Sequence, residues 1–222
     1  MFSNSKTALK EIESFCKTKA YFTSTNTVSE NILKRNFKKI NCQKIKLTFC
    51  GRIVRDKGVI ELLEAFFILF KKNNQFQLNL IGVISDKFKK EIVKLKYWDT
   101  IKKDVIFHGF VPFGDKLFQH LKNSSILVLP SYHEGFPHII WEAAVMKVPV
   151  IVTDVGGIKS LITENDAYFI KPKSSSEIVN AVNFLIKNPQ ITKDKINNFS
   201  KSFLNYSLES GVINLVKKIN NL

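Results

Sequence analysis

Two carboxylates and two cations stand in patterns that could grip a phosphorylated ligand. Glu134 and Glu142 lie in the run Ile-Leu-Val-Leu-Pro-Ser-Tyr-His-Glu-Gly-Phe-Pro-His-Ile-Ile-Trp-Glu over residues 126–142. Arg52 and Lys57 lie in Gly51-Arg52-Ile53-Val54-Arg55-Asp56-Lys57-Gly58. Arginine and lysine side chains hold phosphates, the first as a planar fork and the second as a point charge. Carboxylates accept hydrogen bonds from hydroxyls. A helix that opens near Pro137 adds free backbone N–H groups and the positive end of its dipole, a ready anion site. An anion that carries hydroxyls describes a nucleotide sugar.

These groups need elements that bring them together. The apolar run Ile126 to Leu129 reads as a buried strand that Pro130 stops. Residues 131–135 then form a polar turn, and Pro137 opens a helical pattern with Ile139, Ile140, Ala143 and Ala144 inward. Glu134 falls in the loop and Glu142 two turns into the helix, where apolar neighbours suggest burial. A buried carboxylate wants a partner.

The same rhythm runs along most of the chain. Strand patterns at 46–50, 76–82, 105–107, 126–129 and 149–152 alternate with helical patterns at 58–72, 86–103, 114–123, 137–146 and 157–163, and 167–170 with 175–187 continues it. Such alternation predicts an α/β domain: a Rossmann-like, mainly parallel sheet with helices on both faces. Ligands bind such sheets beyond the carboxyl ends of the strands. The loops on that edge are Gly51–Gly58, Gly82, His108-Gly109-Phe110-Val111-Pro112, the Glu134 loop and Thr153-Asp154-Val155-Gly156-Gly157. Singly each is commonplace; five on one edge, in order, carry the reading. Arg55, Asp56, His133 and His138 read as polar surface and Trp141 as core.

Composition narrows the classes. A hydrophobic share of 45% in 222 residues is ordinary for a globular domain. The net charge is +15, and residues 1–100 hold 20 basic and 9 acidic side chains, or +11 of it. Lys87, Lys89, Lys90, Lys94, Lys96, Lys102 and Lys103 form a dense run. That run reads as a solvated face or as a contact for an anionic membrane surface. No nucleic-acid-binding motif accompanies the charge, so nucleic acid is not expected as a partner. Cys16, Cys42 and Cys50 have no metal spacing and form an odd set, which suggests free thiols and a cytoplasmic setting. No signal-peptide pattern opens the chain, and Glu61 and Glu64 interrupt the apolar run Val59 to Phe70.

The order of motifs from about Lys46 to Lys187 resembles the C-terminal, donor-binding half of the GT-B glycosyltransferases. The similar group is the retaining one related to sucrose synthase and bacterial mannosyltransferases (glycosyl transferases group 1, family 4). The resemblance rests on "FCGRIVRDKGVIELLEAF", "VIFHGFVP" and "LVLPSYHEGFPHIIWEAAVMKVPVIVTDVGG", with Glu134 and Glu142 as the family's Glu-x7-Glu pair. It implies that Arg52 and Lys57 hold the donor diphosphate, that Glu134 contacts the donor sugar, and that Glu142 binds the ribose. Gly51 would allow close approach, and backbone N–H groups of Gly135, Phe136 and His138 would meet sugar and phosphate. No metal and no cofactor are implied; the acceptor would be a glycan, lipid or polysaccharide. The chain departs from the family pattern at Lys147-Val148-Pro149, where a glycine is usual, and at Lys159-Ser160 and Ala167-Tyr168.

The expected organisation is a lead-in or acceptor-domain remnant over 1–45, with helical patterns over 3–20 and around Ser29 to Phe37, then the nucleotide-sugar domain over 46–189, and terminal helices over 190–222. Few residues precede Gly51, so an acceptor-domain polypeptide is an expected partner. The rival readings are a binding module that holds the donor without transferring it, and half of a split enzyme. A sugar-nucleotide epimerase relative is disfavoured, because no Gly-x-Gly-x-x-Gly follows the first strand.

Overall fold

The computed structural model describes residues 2–3, 21–22, 28–40 and 43–220. Strands β1 (Phe2–Ser3) and β2 (Tyr21–Phe22) form a short parallel pair. The helix expected over 3–20 falls almost wholly outside the described residues, as do Cys16 and Cys42.

Six strands make the main sheet: β3 (Ile45–Cys50), β4 (Phe76–Ile81), β5 (Val105–Gly109), β6 (Ile126–Leu129), β7 (Val150–Thr153) and β8 (Tyr168–Ile170). All pairings are parallel, in the order β5-β4-β3-β6-β7-β8. Every residue of β6 and β7 is buried, as the unbroken apolar runs require when helices cover both faces. Helix α1 (Val59–Lys72) packs with α6 (Ser175–Lys187), while α5 (Ile139–Met146) packs between α4 (Asp115–Lys122) and α7 (Pro189–Leu204). The sheet thus has the doubly wound form, with its reversal of direction between β3 and β6.

Three expected helices come out differently. The pattern over 86–103 divides into α2 (Asp86–Val93) and α3 (Trp98–Ile101). Tyr97, at the break, stacks on Phe67 with ring centroids 5.0 Å apart, so aromatic packing overrides continuation of the helix. Residues 157–163 hold only a 3-10 turn, Ile158–Ser160. Beyond it the Asp166 carboxylate takes the N–H of Thr163 at 2.8 Å and its hydroxyl at 2.9 Å, competition of the kind that stops helices. The third, a helix around Ser29, is a 3-10 turn over Glu30–Lys34.

The end of the chain returns to this turn. After α7, helix α8 (Leu208–Asn220) begins where the Leu208 N–H donates to the Val28 carbonyl at 3.0 Å. The Ser207 hydroxyl donates to Glu30 Oε1 at 2.6 Å, and Glu209 accepts from Ser29 Oγ and from the Glu30 N–H.

Helix α5 ends on Lys147 in the left-handed region, φ 57° and ψ 47°, at the position where the resembled family carries glycine. An L side chain pays about 1 kcal/mol there that glycine avoids. Lys147→Gly should therefore raise the thermal midpoint by about 2–4 °C, read by calorimetry; an unchanged or lower midpoint would show that the Lys147 side chain stabilises the cap.

Candidate functional site

At the reversal between β3 and β6 the two strand exits diverge and leave a crevice beyond their carboxyl ends. A cavity of about 350 Å³ occupies it. Gly51, Arg52 and Lys57 line it from the β3 exit, Ser131 and Glu134 from the β6 exit, and Pro137, His138, Ile139 and Glu142 from the start of α5. Of the five loops expected on this edge, two line the cavity, Gly51–Gly58 and the Glu134 loop, and the start of α5 completes it.

Helix α5 starts through a tightened turn. The Ile140 N–H donates to the Pro137 carbonyl at 3.1 Å and the Trp141 N–H to that of His138 at 2.9 Å. Proline at 137 loses nothing in such a turn, because its absent N–H would have had no helical partner. The N–H groups of Gly135, Phe136 and His138 donate to no described residue. Gly135 and Phe136 do not themselves line the cavity; Phe136 turns its ring onto Trp141, centroids 5.2 Å apart. Trp141 is core, 2% exposed.

Glu134 is held firmly. Its Oε1 accepts from Lys57 Nζ at 2.7 Å and from Ser131 Oγ at 2.8 Å. Both charged side chains are mostly shielded from solvent, which strengthens the pair relative to an exposed one. The loop that carries Glu134 is fastened on every side. The Tyr132 N–H donates to the Asp56 carbonyl at 2.8 Å, and Thr153 Oγ1 donates to the Ser131 carbonyl at 2.7 Å. Two glycines make the closest contacts. A Cβ on Gly156 would stand 1.7 Å from the Glu134 carbonyl oxygen, and one on Gly58 would stand 2.0 Å from that of Pro130. The Gly156-Gly157 pair, in the last of the five edge loops, thus packs against the Glu134 loop and does not line the cavity. The Gly157 N–H donates to the Gly135 carbonyl at 3.0 Å.

Glu142 is in the opposite condition. It is 5% exposed, lies in the cavity wall, and makes no hydrogen bond or ion pair with any described residue. Burial alone pushes its carboxyl from the ordinary 4.5 to about 7. Burial, and then the Glu142 charge, push the neighbouring Cys50 thiol up to about 12, so this free cysteine is a protonated wall of the cavity. Arg52 is exposed at the mouth and has no ion pair among the described residues. Arg55 instead pairs with Glu91 at 3.0 Å on the surface, and His133 is exposed. No cluster of metal-ligating side chains occurs among the described residues.

Two features escaped the sequence reading. Tyr132 Oη donates to Glu61 Oε1 at 2.6 Å, a second fastening of the loop onto α1 whose partners lie 71 positions apart. Ser131 does leave a trace, because Ser-x-x-Glu is the spacing at which a hydroxyl and a carboxylate meet across one turn. The loop after β5 does not line the cavity: His108 Nε2 meets Asn79 Oδ1 at 2.9 Å, and Phe110 is 73% exposed.

The sequence profile of the glycosyl transferases group 1 family matches residues 31–202. The chain belongs to that family. A Bacillus subtilis relative, TuaC, named as a teichuronic acid biosynthesis glycosyltransferase, is 35% identical over 134 residues, 60% of this chain and 31% of that protein. An Escherichia coli relative, named UDP-Gal:alpha-D-GlcNAc-diphosphoundecaprenol alpha-1,3-galactosyltransferase, is 24% identical over 198 residues, 88% of this chain and 48% of that one. The Anabaena protein Alr3699/HepE, solved in complex with UDP, superposes with a TM-score of 0.81 at 17% identity, over 100% of this chain and 63% of its own. The group 1 chain described here therefore has the GT-B half-fold, and it spans about a third to a half of the length of these two curated relatives.

The Glu142 carboxyl makes a measurable demand on this fold. Its folded pKa lies above its unfolded one, so the native state holds the extra proton between about pH 4.5 and 7. Stability should fall as pH rises through that window and stay low above it, by about 2–4 kcal/mol in all. Glu142→Gln should remove this decline. Urea unfolding at pH 5 and pH 8 reads both; a wild type and variant that respond identically to pH would contradict the buried, unpaired state of Glu142.

Proposed function

We propose that this chain binds a nucleoside diphosphate sugar and forms the donor-binding part of a retaining, metal-independent glycosyltransferase that delivers the sugar to a glycan, lipid or polysaccharide acceptor. The observation that carries the reading is Glu142: a buried carboxylate without a protein partner, on the first turns of a helix, facing a cavity that also receives Arg52 and Lys57. A fold keeps such a group where a ligand supplies the missing hydrogen bonds.

The chemistry follows from the walls. Cleavage of a sugar–phosphate bond builds negative charge on the departing diphosphate. Arg52 at the mouth and Lys57 inside it offset that charge, and the free N–H groups of Gly135, Phe136 and His138, of which only His138 lines the cavity, add fixed dipoles of the same sign from the turn before α5. These groups are already oriented, so little reorganisation accompanies the reaction. Gly51 leaves room for the phosphates beside the backbone. Glu134, fixed by Lys57 and Ser131, accepts from hydroxyls of the transferred sugar, and its loop keeps it in place as the bond breaks. Glu142 accepts from the ribose diol. No step requires a metal ion.

The names of relatives support the donor and acceptor classes. The solved Anabaena protein holds UDP, and the Escherichia coli relative is named for transfer from UDP-Gal to alpha-D-GlcNAc-diphosphoundecaprenol. The Bacillus subtilis relative is named for teichuronic acid biosynthesis. These favour a UDP-sugar and a polysaccharide or lipid-linked acceptor for this chain.

Calorimetric titration with UDP, GDP, ADP and their sugars tests the reading. One nucleotide should bind, with Arg52→Ala and Glu142→Ala each weakening it about tenfold or more, on the scale of a lost hydrogen bond to a charged group. The affinity of the wild type should rise about tenfold between pH 6 and 8 as Glu142 ionises, a dependence that Glu142→Gln abolishes. Binding by none of the nucleotides, or undiminished binding by both alanine variants, would overturn the proposal. For the whole protein, NMR of the product anomer tests retention.

A further inference from the structure

Helix α2 and the turn after it carry a charge that the donor site does not use. Between residues 86 and 103 stand seven lysines, Lys87, Lys89, Lys90, Lys94, Lys96, Lys102 and Lys103, and all are exposed. Three acidic residues accompany them, of which Glu91 already pairs with Arg55 and Asp99 with Lys102. The other six lysines have no ion pair among the described residues. Only Phe88 and Ile92 of α2 face the core, so its remaining surface is basic, with Val93 exposed by 53% within it and Val83 exposed by 61% just before it.

The position of this surface matters as much as its charge. The segment that leads into α2 is laced to the loop of Arg52 and Lys57. The Ile53 N–H donates to the Val83 carbonyl at 2.9 Å, Ile53 and Ile84 form a bridge, and Arg55 pairs with Glu91 of α2 at 3.0 Å. The basic face therefore begins beside the phosphate-facing loop, at the edge of the sheet where the cavity opens.

We propose that the α2–α3 face is a docking surface for an anionic phospholipid bilayer, which brings the mouth of the cavity to the lipid headgroups. The inference builds on the transferase reading, because an acceptor linked to a lipid must be met at a membrane surface. Clustered lysines near such a surface contribute about 1 kcal/mol each, or roughly fivefold in affinity. Exposed valines among the lysines favour lipid over nucleic acid, since they can enter the headgroup layer, and the aromatic residues within the run, Tyr97 and Trp98, are half-buried with their rings packed on Phe67 and Phe107. No helix of the described residues is long and apolar enough to cross a membrane, so the contact is with the surface.

Sedimentation with vesicles of phosphatidylcholine alone, or with about 30% phosphatidylglycerol, provides the test. The wild type should bind the anionic vesicles, weakly or not at all the neutral ones, and lose that binding as salt rises from about 0.1 to 0.5 M. Replacing Lys87, Lys89, Lys90 and Lys94 by glutamine should reduce binding about a hundredfold or more. Replacing Lys187, Lys193, Lys201 and Lys217 removes equal charge from exposed positions elsewhere and should cost less than about threefold. Equal losses in both variants would mean that net charge alone acts, and would overturn the proposal. So would equal binding to neutral vesicles, or capture of the wild type by duplex DNA in preference to anionic vesicles. Thermal melting of both variants establishes that they fold, and because none of these lysines touches the cavity, vesicle binding can fail or hold independently of the nucleotide titration.

Discussion

Strands β3 and β6 lie side by side, yet the chain leaves them in opposite directions, and this divergence is what makes room for a ligand. Everything else at the site holds the two exits in a fixed relation. Gly58 seats the start of α1 against the last residue before the Glu134 loop, and Gly156 seats the β7 exit against Glu134 itself. Backbone contacts this tight do not tolerate a Cβ, and packed interiors yield little. The Lys57–Glu134 pair spans the gap between the exits. One side of the crevice thus fixes the charge on the other.

The carboxylates divide the work through their surroundings. Glu134 has two protein partners and stays put. Glu142 has none and is buried in the cavity wall, which it shares with Ile139 and Cys50. The fold bears a stability cost for keeping an acid in that state, and a stability cost concentrated at one residue is a common mark of function. Arg52 is as unencumbered as Glu142, but at the exposed mouth the same freedom costs the protein little.

Much of this is legible in the chain itself. The unbroken apolar runs of β6 and β7, stopped by Pro130 and by polar loops, declare strands buried on both faces. Glu134, Glu142, Arg52 and Lys57 stand out by type and position, and the structure brings the four into one cavity. What escaped depended on tertiary partners. The interruption at Tyr97 follows from a ring on α1, and the Tyr132–Glu61 contact joins residues that no local pattern connects. The loop of His108 to Pro112 looked as open to a ligand as its neighbours, until Asn79 and His120 were seen to engage the histidine.

The clasp between residues 28–30 and 207–209 has a kinetic meaning. It joins positions about 180 apart in the chain, among the most distant contacts in the molecule. Closing a loop of that length from the unfolded state is entropically unfavourable, but a sheet already assembled shortens the effective span to the gap between two neighbouring surfaces. A clasp that depends on the assembled sheet can open without it, so amide protons in the Leu208 turn should exchange sooner than those of β6 and β7.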